Sequence, residues 1–127
     1  MLGWPVISLR ITTSVITIAL LSACATTGDL RQSNPVVYEV SSRPAPEIVA
    51  CTSDALSGRS LIFSVLPRQS GSSITLGPTS NADMVADIES DGSVTSIRIY
   101  RMPRMYFGLS RSFINTVLNC GGLPQTD

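Results

Sequence analysis

Residues 84–100, MVADIESDGSVTSIRIY, carry the clearest fold signal in the chain. Apolar and polar residues alternate on both sides of Asp91-Gly92, a dipeptide that is typical of tight β-hairpin turns. Because successive side chains of a strand point to opposite faces, the alternation predicts one buried face. The residues expected on that face are Met84, Ala86, Ile88, Ile97 and Ile99.

The acidic residues of this segment also resemble the start of an EF-hand calcium loop. Asp87, Glu89 and Asp91 stand at ligand positions 1, 3 and 5, and Gly92 follows them. The twelfth position of such a loop needs a bidentate glutamate, and here it holds Arg98. We therefore interpret the segment as a hairpin and predict no metal site.

Working outward from the hairpin, two short apolar runs on its N-terminal side predict strands. The first, residues 61–66, stops at Pro67, and the second, residues 72–76, stops at Gly77-Pro78. Residues 36–40 could add a further strand at the sheet edge.

Helix signals flank these strands on both sides. One predicted helix starts at Pro46 and ends at Gly58, and Ser110 can cap a second helix over residues 111–119. The fold class expected is α+β: a small antiparallel sheet of three to four strands, with two helices packed on one face in the order α-β-β-β-α.

The N-terminus has the organisation of a secretory signal peptide. Arg10 precedes an apolar run over residues 11–21, which is shorter than the ~20 residues needed to span a bilayer. Ser22 and Ala23 supply the small residues expected at a cleavage site.

The four residues Leu21-Ser22-Ala23-Cys24 resemble the lipobox of bacterial lipoproteins. That resemblance implies that residues 1–23 are a cleaved signal peptide and that Cys24 carries diacylglycerol and an acyl chain such as palmitate. Ala25 stands where many inner-membrane lipoproteins have aspartate, which implies the periplasmic face of the outer membrane. Residues 24–44 are then expected to be a lipidated flexible tether, residues 45–122 the α+β domain, and residues 123–127 a disordered tail.

The other two cysteines follow from this interpretation. Cys51 and Cys120 both lie beyond the export signal, and the periplasm is oxidising, so we expect them to form a disulfide. Two free buried thiols are the alternative. The domain is also similar to small proteobacterial lipoproteins without an assigned activity, which have one cysteine in an early helix and another near the C-terminus.

Composition argues against several function classes. The chain has no histidine, which removes the commonest general base and the imidazole metal ligand. Nine basic residues balance nine acidic ones, so no nucleic-acid partner is expected. We predict no enzyme, no catalytic residue, and no cofactor other than the lipid on Cys24.

A segment rich in arginine and aromatic residues is the candidate contact for a partner. Tyr100, Arg101, Arg104 and Tyr106 belong to residue types enriched at interaction hot spots. The alternative is a strand-to-helix connector with solvated arginines and aromatic rings that close the core. The function predicted is a membrane-anchored binding or accessory module whose partner is an envelope protein. The alternative is an inhibitor or immunity lipoprotein that blocks a wall-degrading enzyme with loop residues 70–73 or 77–80.

Overall fold

The computed structural model of the chain describes residue 3 and residues 27–103 and 107–127. The expected α+β class is confirmed, with a short 3-10 helix at Thr79–Asn81. The main elements, in chain order, are α1 (Thr27–Arg31), β1 (Val37–Ser41), α2 (Ala45–Ser57), β2 (Phe63–Arg68), β3 (Gly71–Leu76), β4 (Met84–Asp91), β5 (Val94–Arg101) and α3 (Phe107–Cys120).

The sheet has five antiparallel strands in the order β1-β5-β4-β3-β2. The prediction of three to four strands and two helices therefore missed two elements, the edge strand β1 and the short helix α1. Residues 36–40 have apolar side chains on both sides of the strand, so β1 lacks the clean alternation that marks the hairpin. Helix α1 has only five residues, too few to show a helical period.

The hairpin lies at the centre of the sheet, as predicted. Strands β4 and β5 pair from Met84 with Arg101 to Asp91 with Val94, so the turn residues are Gly92 and Ser93. Gly92 has φ +66°, which suits the first central position of a type II′ turn. The five side chains predicted to face the core are all fully buried.

The main core lies between one face of the sheet and the two long helices. Helix α3 contributes Phe113 and Val117, and α2 contributes Ile48 and Leu56. The helical spacing i, i+3, i+7 predicts a buried stripe of Ile48, Cys51 and Ala55 on α2. In the structure Thr52 is buried and Cys51 is exposed, so this expectation is wrong at Cys51. Helix α2 is thus rotated so that its cysteine lies on the side next to α3.

Folded structure extends into both segments expected to be flexible. Within residues 24–44, β1 pairs with β5, and the Ser41 hydroxyl donates to the Gly121 carbonyl at 2.6 Å. Arg43 donates to the Cys120 carbonyl at 2.8 Å, at the negative end of α3. At the C-terminus, Thr126 hydrogen-bonds to the Asn115 side chain.

Candidate functional site

The disulfide between Cys51 and Cys120 joins α2 to α3. The two Cα atoms are 5.7 Å apart, within the range usual for a disulfide, and the cysteines are 69 residues apart in sequence. The predicted pairing is therefore present, and the alternative of two free thiols is not. A groove of about 410 Å³ lies beside this bond between the two helices.

The predicted Arg/Tyr segment is only partly described by the structure. Tyr100 is 8% exposed and packs with Leu30 and Val85 in a second, smaller core. Arg101 donates from Nη1 to the Ser110 hydroxyl at 3.2 Å. Arg104 and Tyr106 lie outside the described residues. The Tyr100 ring thus packs against α1 inside the domain, and little of it is exposed to a partner.

The lipidation site Cys24 also lies outside the described residues, so lipid attachment stays a prediction. Across residues 27–103 and 107–127, no helix has the length and apolarity needed to cross a lipid bilayer. The same residues contain no cluster of three His, Cys, Asp or Glu side chains suited to a metal ion.

The two segments predicted as enzyme-blocking loops, residues 70–73 and 77–80, differ from each other in structure. Residues 71–73 belong to β3 and pair with β4, so this stretch is not a protruding loop. Residues 77–80 connect β3 to β4 through Pro78 and the short 3-10 helix.

The sheet face opposite α2 and α3, hereafter the open face, carries a charged cluster around Asp87. Arg31 of α1 binds this carboxylate through two hydrogen bonds, Nε to Oδ2 and Nη2 to Oδ1, both at 2.8 Å. Ser73 of β3 donates to the same carboxylate, and Arg68 lies 3.8 Å from it. These contacts fix α1 on the open face.

Burial and hydrogen bonding shift the pKa of the Asp87 carboxyl in opposite directions. Burial raises the pKa of this carboxyl, but the hydrogen bonds from Arg31 and Ser73 lower it more, so the net pKa is below its ordinary value. The hydrogen bond with Asp87 likewise raises the pKa of Arg31. This carboxylate, counted among the EF-hand-like acids, is therefore occupied by protein donors.

A row of exposed apolar side chains runs along β1 on the open face. Val36, Tyr38 and Val40 are 44%, 54% and 45% exposed. The guanidinium of Arg98, on the adjacent strand β5, lies 5.0 Å from the centroid of the Tyr38 ring. We call these four residues the β1 ridge.

The β1 ridge was missed as a functional surface because residues 36–40 were considered only as a possible edge strand. The spacing Val36, Tyr38, Val40 at i, i+2 and i+4 was the available signal. Sequence alone could not show that this side is exposed, because exposure depends on where α1 and the long helices pack.

Comparisons of the chain with protein-family models, curated proteins and solved structures return no significant match.

Proposed function

We propose that this protein is a bacterial envelope lipoprotein, held through a lipid on Cys24 at the periplasmic face of the outer membrane. Its domain then acts as a binding or accessory module for an envelope protein. The anchor rests on the lipobox sequence Leu21-Ser22-Ala23-Cys24. Two or more acyl chains on one residue hold a protein firmly, whereas one chain binds marginally.

The disulfide supports an extracytoplasmic location for the domain. Disulfides persist in oxidising compartments and are rare in the cytosol. The Cys51–Cys120 bond joins the two long helices of the main core. A domain exported with a lipid signal would acquire this bond after crossing the inner membrane.

The β1 ridge is the single observation that carries the binding role. Its three apolar side chains are each between 44% and 54% exposed. They occupy alternate positions along β1 and the residue just before it. Contiguous exposed apolar residues on a small domain are typical of interaction sites. Together with the histidine-free composition, the ridge favours a binding role over an enzymatic one.

Membrane fractionation tests the anchored module. We expect the wild-type protein to co-sediment with outer membranes and to incorporate labelled palmitate. Cys24→Ala should abolish the label and leave the protein unprocessed or released. Ala25→Asp is the matched sorting variant, and it should keep the label while shifting the protein to inner membranes. Equal labelling of wild type and Cys24→Ala would contradict the proposal.

A further inference from the structure

Strand β1 is the sheet edge better suited to accept a further strand. Within the described sheet, β1 pairs only with β5 and β2 only with β3. Strand β2 contains Pro67 and ends at Arg68, and both proline and charge at an edge discourage further strand pairing. The segment Val37–Ser41 contains no proline and no basic residue. Among residues 27–103 and 107–127, no backbone hydrogen bond is made to the side of Val37–Ser41 that faces away from β5, and an added strand could pair there.

The β1 ridge would lie beside the side chains of such a strand. Directly opposed side chains of neighbouring strands are in contact, and these pairs stabilise a sheet. On the open face, an incoming segment would place alternate side chains against Val36, Tyr38 and Val40. Apolar residues are therefore favoured opposite the two valines, and the position between them lies opposite Tyr38.

Arg98 determines the charge preferred at that middle position. Its cross-strand neighbour Asp87 is bound by Arg31 and Ser73, and within the described part of the chain no carboxylate forms an ion pair with Arg98. The guanidinium lies over the Tyr38 ring instead. An added strand would run about 10 Å from the β5 backbone, two strand spacings away. Arginine and glutamate side chains can together bridge that distance.

A second copy of the chain would be a poor partner for this surface, because its β1 strand would bring no carboxylate to Arg98. The only acidic residue of β1 is Glu39, which belongs to the opposite side of the strand from Tyr38. Pairing of two β1 strands would therefore bring no β1 carboxylate toward Arg98. Charge complementarity favours a different chain that carries its acid on the same side as its apolar residues.

We propose that β1 is a docking edge that accepts an extended, acidic segment of an envelope protein as a sixth strand. The segment has the pattern apolar–polar–acidic–polar–apolar, with its acid paired to Arg98 and its apolar residues packed against Val36 and Val40. Backbone hydrogen bonds supply affinity, and the β1 ridge supplies selectivity. This inference rests on the proposed binding role and names the partner's chemistry.

Peptide binding to the full-length protein in detergent micelles tests the docking edge. The probe is a synthetic peptide of the sequence Thr-Val-Thr-Glu-Thr-Val-Thr, and the matched control has lysine in place of glutamate. We expect saturable binding of the glutamate peptide and at least about tenfold weaker binding of the lysine peptide. Arg98→Gln should remove most of the preference for the glutamate peptide, and Tyr38→Thr should weaken the binding of both peptides.

Leu66→Thr is the control on the other edge of the sheet. Leu66 is 42% exposed on β2, so its exposure matches that of the ridge valines, and its substitution should leave binding unchanged. Unfolding curves of all variants should show that they remain folded, as expected for the exposed Tyr38 and Leu66 and the half-buried Arg98. Equal binding of the two peptides, or absence of binding to the folded protein, would overturn the inference.

Self-association measured by sedimentation would also overturn the inference if it were abolished by Tyr38→Thr, because the occupant would then be a second copy. The outcome of the peptide-binding experiment does not depend on whether the protein carries a lipid anchor. Failure of peptide binding in a protein that is palmitate-labelled and membrane-bound removes the docking edge and leaves the lipoprotein. If the wild-type protein proves to carry no lipid but still binds the peptide, the anchor is refuted and the docking edge is supported.

Discussion

At the scale of single residues, Asp87 is the most consequential polar group of the described domain. Its side chain is only 5% exposed, and it connects α1, β3 and β4 through Arg31 and Ser73. The hairpin pattern predicted that Asp87 faces away from the main core. Its partner on α1 could not be predicted, because that contact joins residues 56 positions apart.

Replacing Asp87 with asparagine should destabilise the fold by about 2 kcal/mol at neutral pH, because Arg31 loses a charged hydrogen-bond partner. Folding lowers the pKa of this carboxyl, so its stabilising contribution is present above the ordinary value of 3.8. It is lost as the pH falls through the lowered folded-state pKa.

Urea unfolding at about pH 7 and about pH 2.5 measures this effect. The difference in unfolding free energy between wild type and Asp87→Asn should shrink at the lower pH. Asp54→Asn, on the exposed side of α2, is the control and should have little effect at either pH. A constant difference at both pH values would contradict the assigned role of the carboxylate.

Gly71 is the second residue with a sharp expected effect. A Cβ at this position would collide with the Ile88 carbonyl oxygen and would lie 2.8 Å from the Glu89 Cα. Since both obstacles are backbone atoms of β4, Gly71→Ala should destabilise the sheet by about 2–3 kcal/mol.

Gly58→Ala is the matched control for Gly71→Ala. Gly58 has φ −64°, and the nearest atoms to its added Cβ are 3.6 Å away. This substitution should be neutral or stabilise by up to about 1 kcal/mol. Thermal unfolding of both variants checks the pair, and equal melting temperatures would refute the close approach of β3 and β4.

At the scale of secondary structure, long and regularly patterned elements were predictable and short ones were not. The β4–β5 hairpin follows from its alternation, and the end of α2 follows from Gly58. The existence of α3 was predicted, but the helix begins at Phe107, so the expected cap Ser110 lies inside it. Strand β1 and helix α1 are each five residues long. They are held by tertiary contacts, such as Leu30 in the smaller core and Arg43 on the α3 carbonyls, which no local pattern reveals.

The disulfide between α2 and α3 should make a large contribution to stability. Closing a loop of this length stabilises by about 4 kcal/mol on the chain-entropy estimate. Replacing both Cys51 and Cys120 with alanine should lower the unfolding free energy by about that amount. Reductant should destabilise the wild-type protein and have no effect on the double variant; equal stability of the two oxidised proteins would contradict this role.

At the scale of the whole molecule, the sheet has two unlike faces. One face packs under α2 and α3, and the other carries α1, the charged cluster and the β1 ridge. The order of helix and strand signals, together with the cysteine pair, predicted a small disulfide-bonded α+β domain. The surface that carries the candidate site could not be predicted, because exposure is set by packing between distant segments.

The mass of the mature N-terminal peptide, purified from membranes, decides whether the protein carries the proposed lipid anchor. We expect the mature chain to begin at Cys24 and this residue to carry diacylglycerol together with an amide-linked acyl chain. The same preparation of Cys24→Ala should yield no lipidated peptide. A mature chain that begins elsewhere, or a Cys24 with an unmodified thiol, would contradict the claim that this protein is a lipoprotein.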